Sequence, residues 1–133
     1  FPAFSVLVVS LFTASITEEL TYRLFGITFF KKYFKSTFLA VLIPTIIWAV
    51  AHSSYPIFPF YFRAIELLIT GLLFSYFFLR YNLTTVITAH YLYDAILLGF
   101  ILLISGNMIF IFSEIFILIL PLIIAIAGLI KNK

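Results

Sequence analysis

Two adjacent glutamates, an arginine, two histidines and an aspartate fall into three short groups of this 133-residue chain: Glu18-Glu19-Leu-Thr-Tyr-Arg23, Trp48-Ala-Val-Ala-His52 and His90-Tyr-Leu-Tyr-Asp94. A carboxylate and an imidazole together can take a proton from water. Two histidines with carboxylates can instead hold a divalent metal whose bound water ionises near neutral pH. Either arrangement makes a nucleophile, so the chemistry these residue types support is hydrolysis. His-x-x-x-Asp places two ligands on one helical face, as His-Glu-x-x-His does in zinc proteases, although that motif itself is absent here. Oxygen and nitrogen donors without thiolate are compatible with zinc but do not select it.

The elements that must position these groups are membrane helices. Hydrophobic residues make up 65% of the chain and charged residues 10%, where a soluble domain carries about 25% charged. An ionisable side chain within a bilayer costs several kcal/mol or more, so six of them (Glu18, Glu19, Arg23, His52, His90 and Asp94) need compensating partners. The length allows about five spans of roughly 20 residues and leaves no polar stretch for a soluble domain. The expected architecture is all-α, a single polytopic membrane domain over residues 1–133 with helices at about 4–30, 37–52, 61–79, 83–105 and 108–130. Pro56 and Pro59 place a loop over Ser53–Phe60, and Ser105-Gly106-Asn107 marks a turn. Pro44 and Pro121 lie inside apolar blocks and read as kinks whose freed backbone groups neighbouring helices satisfy.

Lys31, Lys32 and Lys35, Arg80, and Lys131 and Lys133 follow alternate helices and so share one side, with Arg63 alone opposite. The positive-inside rule makes the six-residue side cytoplasmic in a cell membrane and the start of the chain extracytoplasmic. Topology and contact with anionic lipid account for the net charge of +3, and nucleic acid is not an expected partner. The apolar start has no basic leader and runs into Glu18-Glu19, so it reads as a span and not a signal peptide. A first residue other than Met points to a fragment or processed chain with helices upstream. Asn82-Leu83-Thr84 matches a glycosylation sequon on the side expected to be cytoplasmic and is discounted. The lack of cysteine removes disulfides, thiolate metal sites and a Cys nucleophile. Neither an internal repeat nor Gly-x-x-x-Gly is present, which weighs against transporter and helix-dimer readings.

Measured from the cytoplasmic helix ends at 1.5 Å per residue, Glu18 and Glu19 lie roughly 16 to 18 Å deep, His52 roughly 24 Å, His90 roughly 12 Å and Asp94 roughly 18 Å. Glu19 and Arg23 are i,i+4 neighbours, as are His90 and Asp94. A bundle that turns these faces inward is expected to gather them around one polar cavity.

In this order and spacing, Glu-Glu-x-x-x-Arg, aromatic-x-x-x-His and His-x-x-x-Asp resemble the motifs of the CAAX protease and bacteriocin-processing (CPBP, or Abi) family of intramembrane proteases. The resemblance covers about residues 15–96. It implies that Glu18 activates water with His52, that Glu19 and Arg23 brace the first motif, and that His90 and Asp94 stabilise an oxyanion or join a metal site. A divalent metal such as zinc would then be held by Glu18, His52, His90 and Asp94. The substrate would be a membrane-associated peptide or protein, or a prenylated Cys-a-a-X tail. Trp48 stands where the family often has Phe, a position that needs a bulky aromatic. Asp94 stands where the eukaryotic CAAX-processing enzymes carry Asn, and an ionised Asp cannot donate a hydrogen bond to an oxyanion. That leaves Asp94 as a metal ligand, as the group that orients His90, or as a neutral acid.

Each group also has a plainer reading. Glu19 with Arg23, and His90 with Asp94, are possible self-neutralising pairs, and His52 an interfacial histidine beside a Trp belt. Glu18 has no local partner. Glu66 is expected to pair with Arg63 three residues away, Glu114 has no assigned role, and the many Phe and Tyr residues face lipid or the interface. The reading that joins the three groups is an intramembrane endopeptidase. Its alternatives are a non-catalytic membrane scaffold or immunity protein of the same family, and a proton- or ion-conducting bundle.

Overall fold

A computed structural model describes residues 2–52 and 58–131, and every regular element among them is helical. We number the helices α1 (Pro2–Tyr33), α2 (Thr37–Ala51), α3 (Phe60–Arg80), α4 (Leu83–Leu103) and α5 (Met108–Lys131). The five expected helices are thus present, with ends shifted by a few residues. Four of them are long and apolar enough to cross a membrane. The exception is α2, which was expected to span. Its 15 residues extend about 22 Å, short of a hydrocarbon core of about 30 Å. It stops where the Pro-containing segment begins. The loop expected over Ser53–Phe60 falls mostly outside the described residues.

Local chemistry sets the remaining boundaries. Phe34 leaves the helical region, and Ser36 restarts it by accepting the Leu39 N–H at 3.4 Å. Asn82 caps α4, its side-chain oxygen accepting the Thr85 N–H at 2.8 Å. The apparent sequon is therefore a helix start. Gly106 takes the left-handed φ of +70° in the turn read from the sequence, and Asn107 then caps α5 through the Ile109 N–H at 2.9 Å.

The chain divides into two compact units. One consists of residues 1–15 and 88–133. Its interior is Ala3 and Val6 from α1, Tyr91, Ala95 and Leu102 from α4, and Ile117 from α5. Pro121 has no N–H to offer the Ile117 carbonyl one turn earlier, and the Tyr91 hydroxyl donates to that carbonyl at 2.7 Å. The carbonyl freed by Pro121 is thus satisfied by a neighbouring helix. On the same face of α4, Gly99 makes room for Glu114: a Cβ at Gly99 would lie 2.1 Å from the Glu114 carboxyl carbon. Glu114 is fully buried, and neither of its oxygens has a hydrogen-bond partner among the described residues.

The other unit, residues 16–87, packs the second half of α1 against α2 and α2 against α3. Small residues permit both approaches. A Cβ at Gly26 would lie 2.9 Å from Pro44 Cβ, and one at Gly71 would lie 2.7 Å from the Thr45 methyl and 3.0 Å from the Trp48 ring. The Thr45 and Ser75 hydroxyls meet at 3.4 Å between α2 and α3.

Candidate active site

Unit 16–87 assembles Glu18, Glu19, Arg23, Trp48 and His52 into one connected group. The stretch of α1 that carries the first three is wound with π-helical turns, over Val9–Ile16 and Glu19–Ile27. Such turns are rare, hydrogen-bond less favourably than α turns and concentrate at functional sites. No feature of the sequence had marked them.

Glu19 and Arg23 share a face, as their spacing requires. The Arg23 Nη1 donates to Glu19 Oε1 at 2.9 Å with both side chains at most 1% exposed. The guanidinium reaches further than its local partner. Nη2 donates to the Gly71 carbonyl of α3 at 3.4 Å, and the cationic carbon lies 4.5 Å from the Trp48 ring centroid and 5.5 Å from that of Phe74. A cation over an aromatic face gains most where water is excluded. Arg23 therefore ties α1, α2 and α3 together.

Trp48 connects this brace to the reactive groups. Only 2% exposed, it donates its indole N–H to Glu18 Oε2 while its ring lies against Arg23. The sequence reading treated this position as a bulky aromatic. It is also a hydrogen-bond donor, a role Phe lacks, and the signal was present in the Trp-for-Phe difference. Gly71 and Phe74, which receive and flank the Arg23 guanidinium, carried no readable signal.

His52 caps the C-terminal end of α2. Its backbone N–H turns to the Ala49 carbonyl at 3.2 Å, which frees the Trp48 carbonyl for the ring Nδ1 at 2.8 Å. A carbonyl only accepts, so Nδ1 carries the hydrogen and Nε2 is the nitrogen aimed at Glu18. Nε2 and Glu18 Oε1 stand 3.5 Å apart, each side chain 20% exposed. That gap exceeds a direct hydrogen bond, and partial exposure gives water access to it. Trp48 and His52 of α2 thus both face the Glu18 carboxylate.

In the unit of residues 1–15 and 88–133, His90 Nε2 lies 3.5 Å from Asp94 Oδ2, with His90 3% and Asp94 19% exposed. The two side chains face each other one helical turn apart, as their spacing requires. Glu66 pairs with Arg63 at 2.7 Å, as expected.

A catalytic zinc takes three protein ligands and keeps one open position. The Glu18–His52 pair offers two atoms, Oε1 and Nε2, because Oε2 and Nδ1 are committed to Trp48. Among the described residues no three His, Asp or Glu side chains are grouped to hold a metal ion. Within residues 16–87 the pair alone thus offers two donors, fewer than a catalytic zinc takes, and we derive no step through one.

A family model for type II CAAX prenyl endopeptidases, Rce1-like, matches residues 1–96, which include all three motif groups. No curated protein and no solved structure matches the chain.

Proposed function

This chain belongs to the Rce1-like family of type II CAAX prenyl endopeptidases, and from that premise we propose that it hydrolyses a peptide bond of a membrane-associated substrate with water activated by Glu18 and His52. The observation that carries the reading is the facing of Glu18 Oε1 and His52 Nε2 across 3.5 Å. A water bound beside the pair, within reach of both Oε1 and Nε2, loses a proton to Glu18 as the water oxygen attacks the scissile carbonyl, and a C–O bond forms. Collapse of the tetrahedral intermediate breaks the C–N bond, and the proton passes to the leaving amine. Trp48 holds the second carboxylate oxygen, which leaves Oε1 as the base. His52, its tautomer set by the Trp48 carbonyl, polarises the water and relays the proton. No step is assigned to His90 and Asp94, which pair with each other in the other unit.

The substrate class we assign is a peptide cut near its C-terminus, of the prenylated Cys-a-a-X kind or a membrane-associated peptide that presents the same features. Membership of the family and four helices able to cross a bilayer support an integral membrane enzyme. The lysine distribution supports a cytoplasmic Lys31-Lys32-Lys35 turn.

The deciding experiment compares wild type with Glu18→Gln, both reconstituted in proteoliposomes, against a prenylated Cys-a-a-X peptide. Gln still accepts the indole N–H through its amide oxygen but cannot take a proton from water, so cleavage is lost while the thermal melt is kept. Equal cleavage by the two proteins overturns the mechanism. Absence of cleavage by wild type, with an unchanged cellular phenotype in the Gln variant, favours the scaffold reading. Ion flux into the liposomes favours the conducting one.

A further inference from the structure

Between Lys35 and Arg80 the sequence contains a single cationic side chain, Arg63. It lies in the first turn of α3, beside the end of α2 that carries His52. The register shows this: Thr45 meets Ser75, Trp48 meets Gly71, and Ala49 and Val50 share a groove with Tyr61 and Ala64. The two helices therefore run antiparallel, and continuing the pairing brings His52 level with Leu67, about one helical turn from Arg63 on the same helix. Glu66 fixes the guanidinium through Nη1 at 2.7 Å, with the arginine side chain 16% exposed against 45% for the glutamate.

A half-buried guanidinium one helix away from the water-activating pair suits an anionic group of the substrate. Its planar fork has five N–H donors, and its best partner is a carboxylate. Helices packed about 8–10 Å apart, with about one further turn of 5 Å along the axis, set the two positions on the order of 10 Å apart. A substrate cut three residues from its end carries a free α-carboxylate about 10 Å from the scissile carbonyl, at about 3.3–3.6 Å per extended residue. The two lengths agree. We propose that Arg63, held by Glu66, receives the C-terminal carboxylate of the substrate and thereby sets the position of the cut. This inference rests on the reading of the site as a C-terminal endopeptidase. It adds a residue outside all three motif groups.

The test uses two prenylated Cys-a-a-X peptides of identical sequence, one with a free C-terminus and one amidated, and the full chain in lipid nanodiscs. Wild type is expected to prefer the free acid by about 10-fold or more in kcat/KM, carried by KM, the scale of one hydrogen bond to a charged group. Arg63→Gln should bring the free acid to the level of the amide and leave the amide unchanged. Arg63→Lys, which keeps the charge and loses the fork, should fall between. Glu66→Gln, which loosens the guanidinium without removing it, should weaken discrimination by less than Arg63→Gln does. Binding of both peptides to Glu18→Gln, and to that variant with Arg63→Gln added, reads recognition without catalysis. If wild type cleaves neither peptide but the binding preference persists and vanishes with Arg63, the carboxylate site stands and the hydrolytic reading fails. Equal treatment of the two peptides by wild type, or equal loss on both in Arg63→Gln, overturns the proposal.

Discussion

Trp48→Phe isolates one bond on which the proposed chemistry depends. The substitution keeps an aromatic ring over the Arg23 guanidinium, now 4.5 Å from the centroid, and keeps the backbone carbonyl that orients His52 Nδ1. What it removes is the indole N–H to Glu18 Oε2. A hydrogen bond to a charged group contributes about 1.5–3 kcal/mol. Glu18 is 20% exposed, so water replaces part of that bond, and about 1–2 kcal/mol is the appropriate share. If the bond holds Oε1 on the attacking water, its loss appears in the transition state as a fall in kcat of about 5- to 30-fold at about 1.36 kcal/mol per decade. KM should change little, since Trp48 is buried behind the carboxylate and does not meet substrate in this reading. The thermal melt should drop by only a few degrees, about 2–4 °C per kcal/mol lost. The assay is steady-state cleavage of a prenylated peptide by reconstituted wild type, Trp48→Phe and Trp48→Ala. The alanine variant additionally opens a cavity and strips the cation of its ring, so it should lose about 3–5 kcal/mol of stability. A Trp48→Phe enzyme with wild-type kcat would refute the idea that the indole positions the base.

Four further outcomes follow from the packing. Gly71→Ala drives a methyl to within 2.7 Å of Thr45 and 3.0 Å of the Trp48 ring; we expect about 1–3 kcal/mol of destabilisation together with reduced cleavage, and a melt and activity equal to wild type would contradict the close α2–α3 approach. Arg23→Gln leaves Glu19 charged and fully buried, which should cost about 3–5 kcal/mol; restoration of the melt by pairing it with Glu19→Gln would identify the lost partner as the cause. Gly99→Ala should be tolerated only when Glu114 is shortened, because the added Cβ would overlap the carboxyl carbon at 2.1 Å; a melt of Gly99→Ala unaffected by Glu114→Ala would speak against that contact. Exhaustive chelation should leave kcat unchanged, since the Glu18–His52 pair is assigned the whole of water activation; stoichiometric zinc that disappears with His90→Ala would replace that mechanism with a metal-assisted one.

The features visible in the sequence are those governed by local rules. Apolar stretches broken by Pro56, Pro59 and Gly106 announced five helices, and i,i+4 spacing placed Glu19 on Arg23 and His90 on Asp94, both of which meet. Asn82 shows the limit of reading by motif. Its pattern matched a modification signal, whereas its oxygen is spent on the first turn of α4. Hydropathy alone likewise did not show that α2 is shorter than the other four helices, with 15 residues.

Composition and spacing determined by themselves that this is a helical membrane protein with rare ionisable groups in three clusters, since hydropathy and helical periodicity are properties of neighbouring residues. Tertiary structure decided which of those groups meet. The Trp48 indole reaching Glu18, 30 residues away, the Gly71 carbonyl receiving Arg23 and the Tyr91 hydroxyl replacing the bond that Pro121 cannot make all depend on how closely two helices approach. That approach is set by side-chain volume at facing positions, glycine above all, and no periodicity within one helix encodes which residue it will face on another.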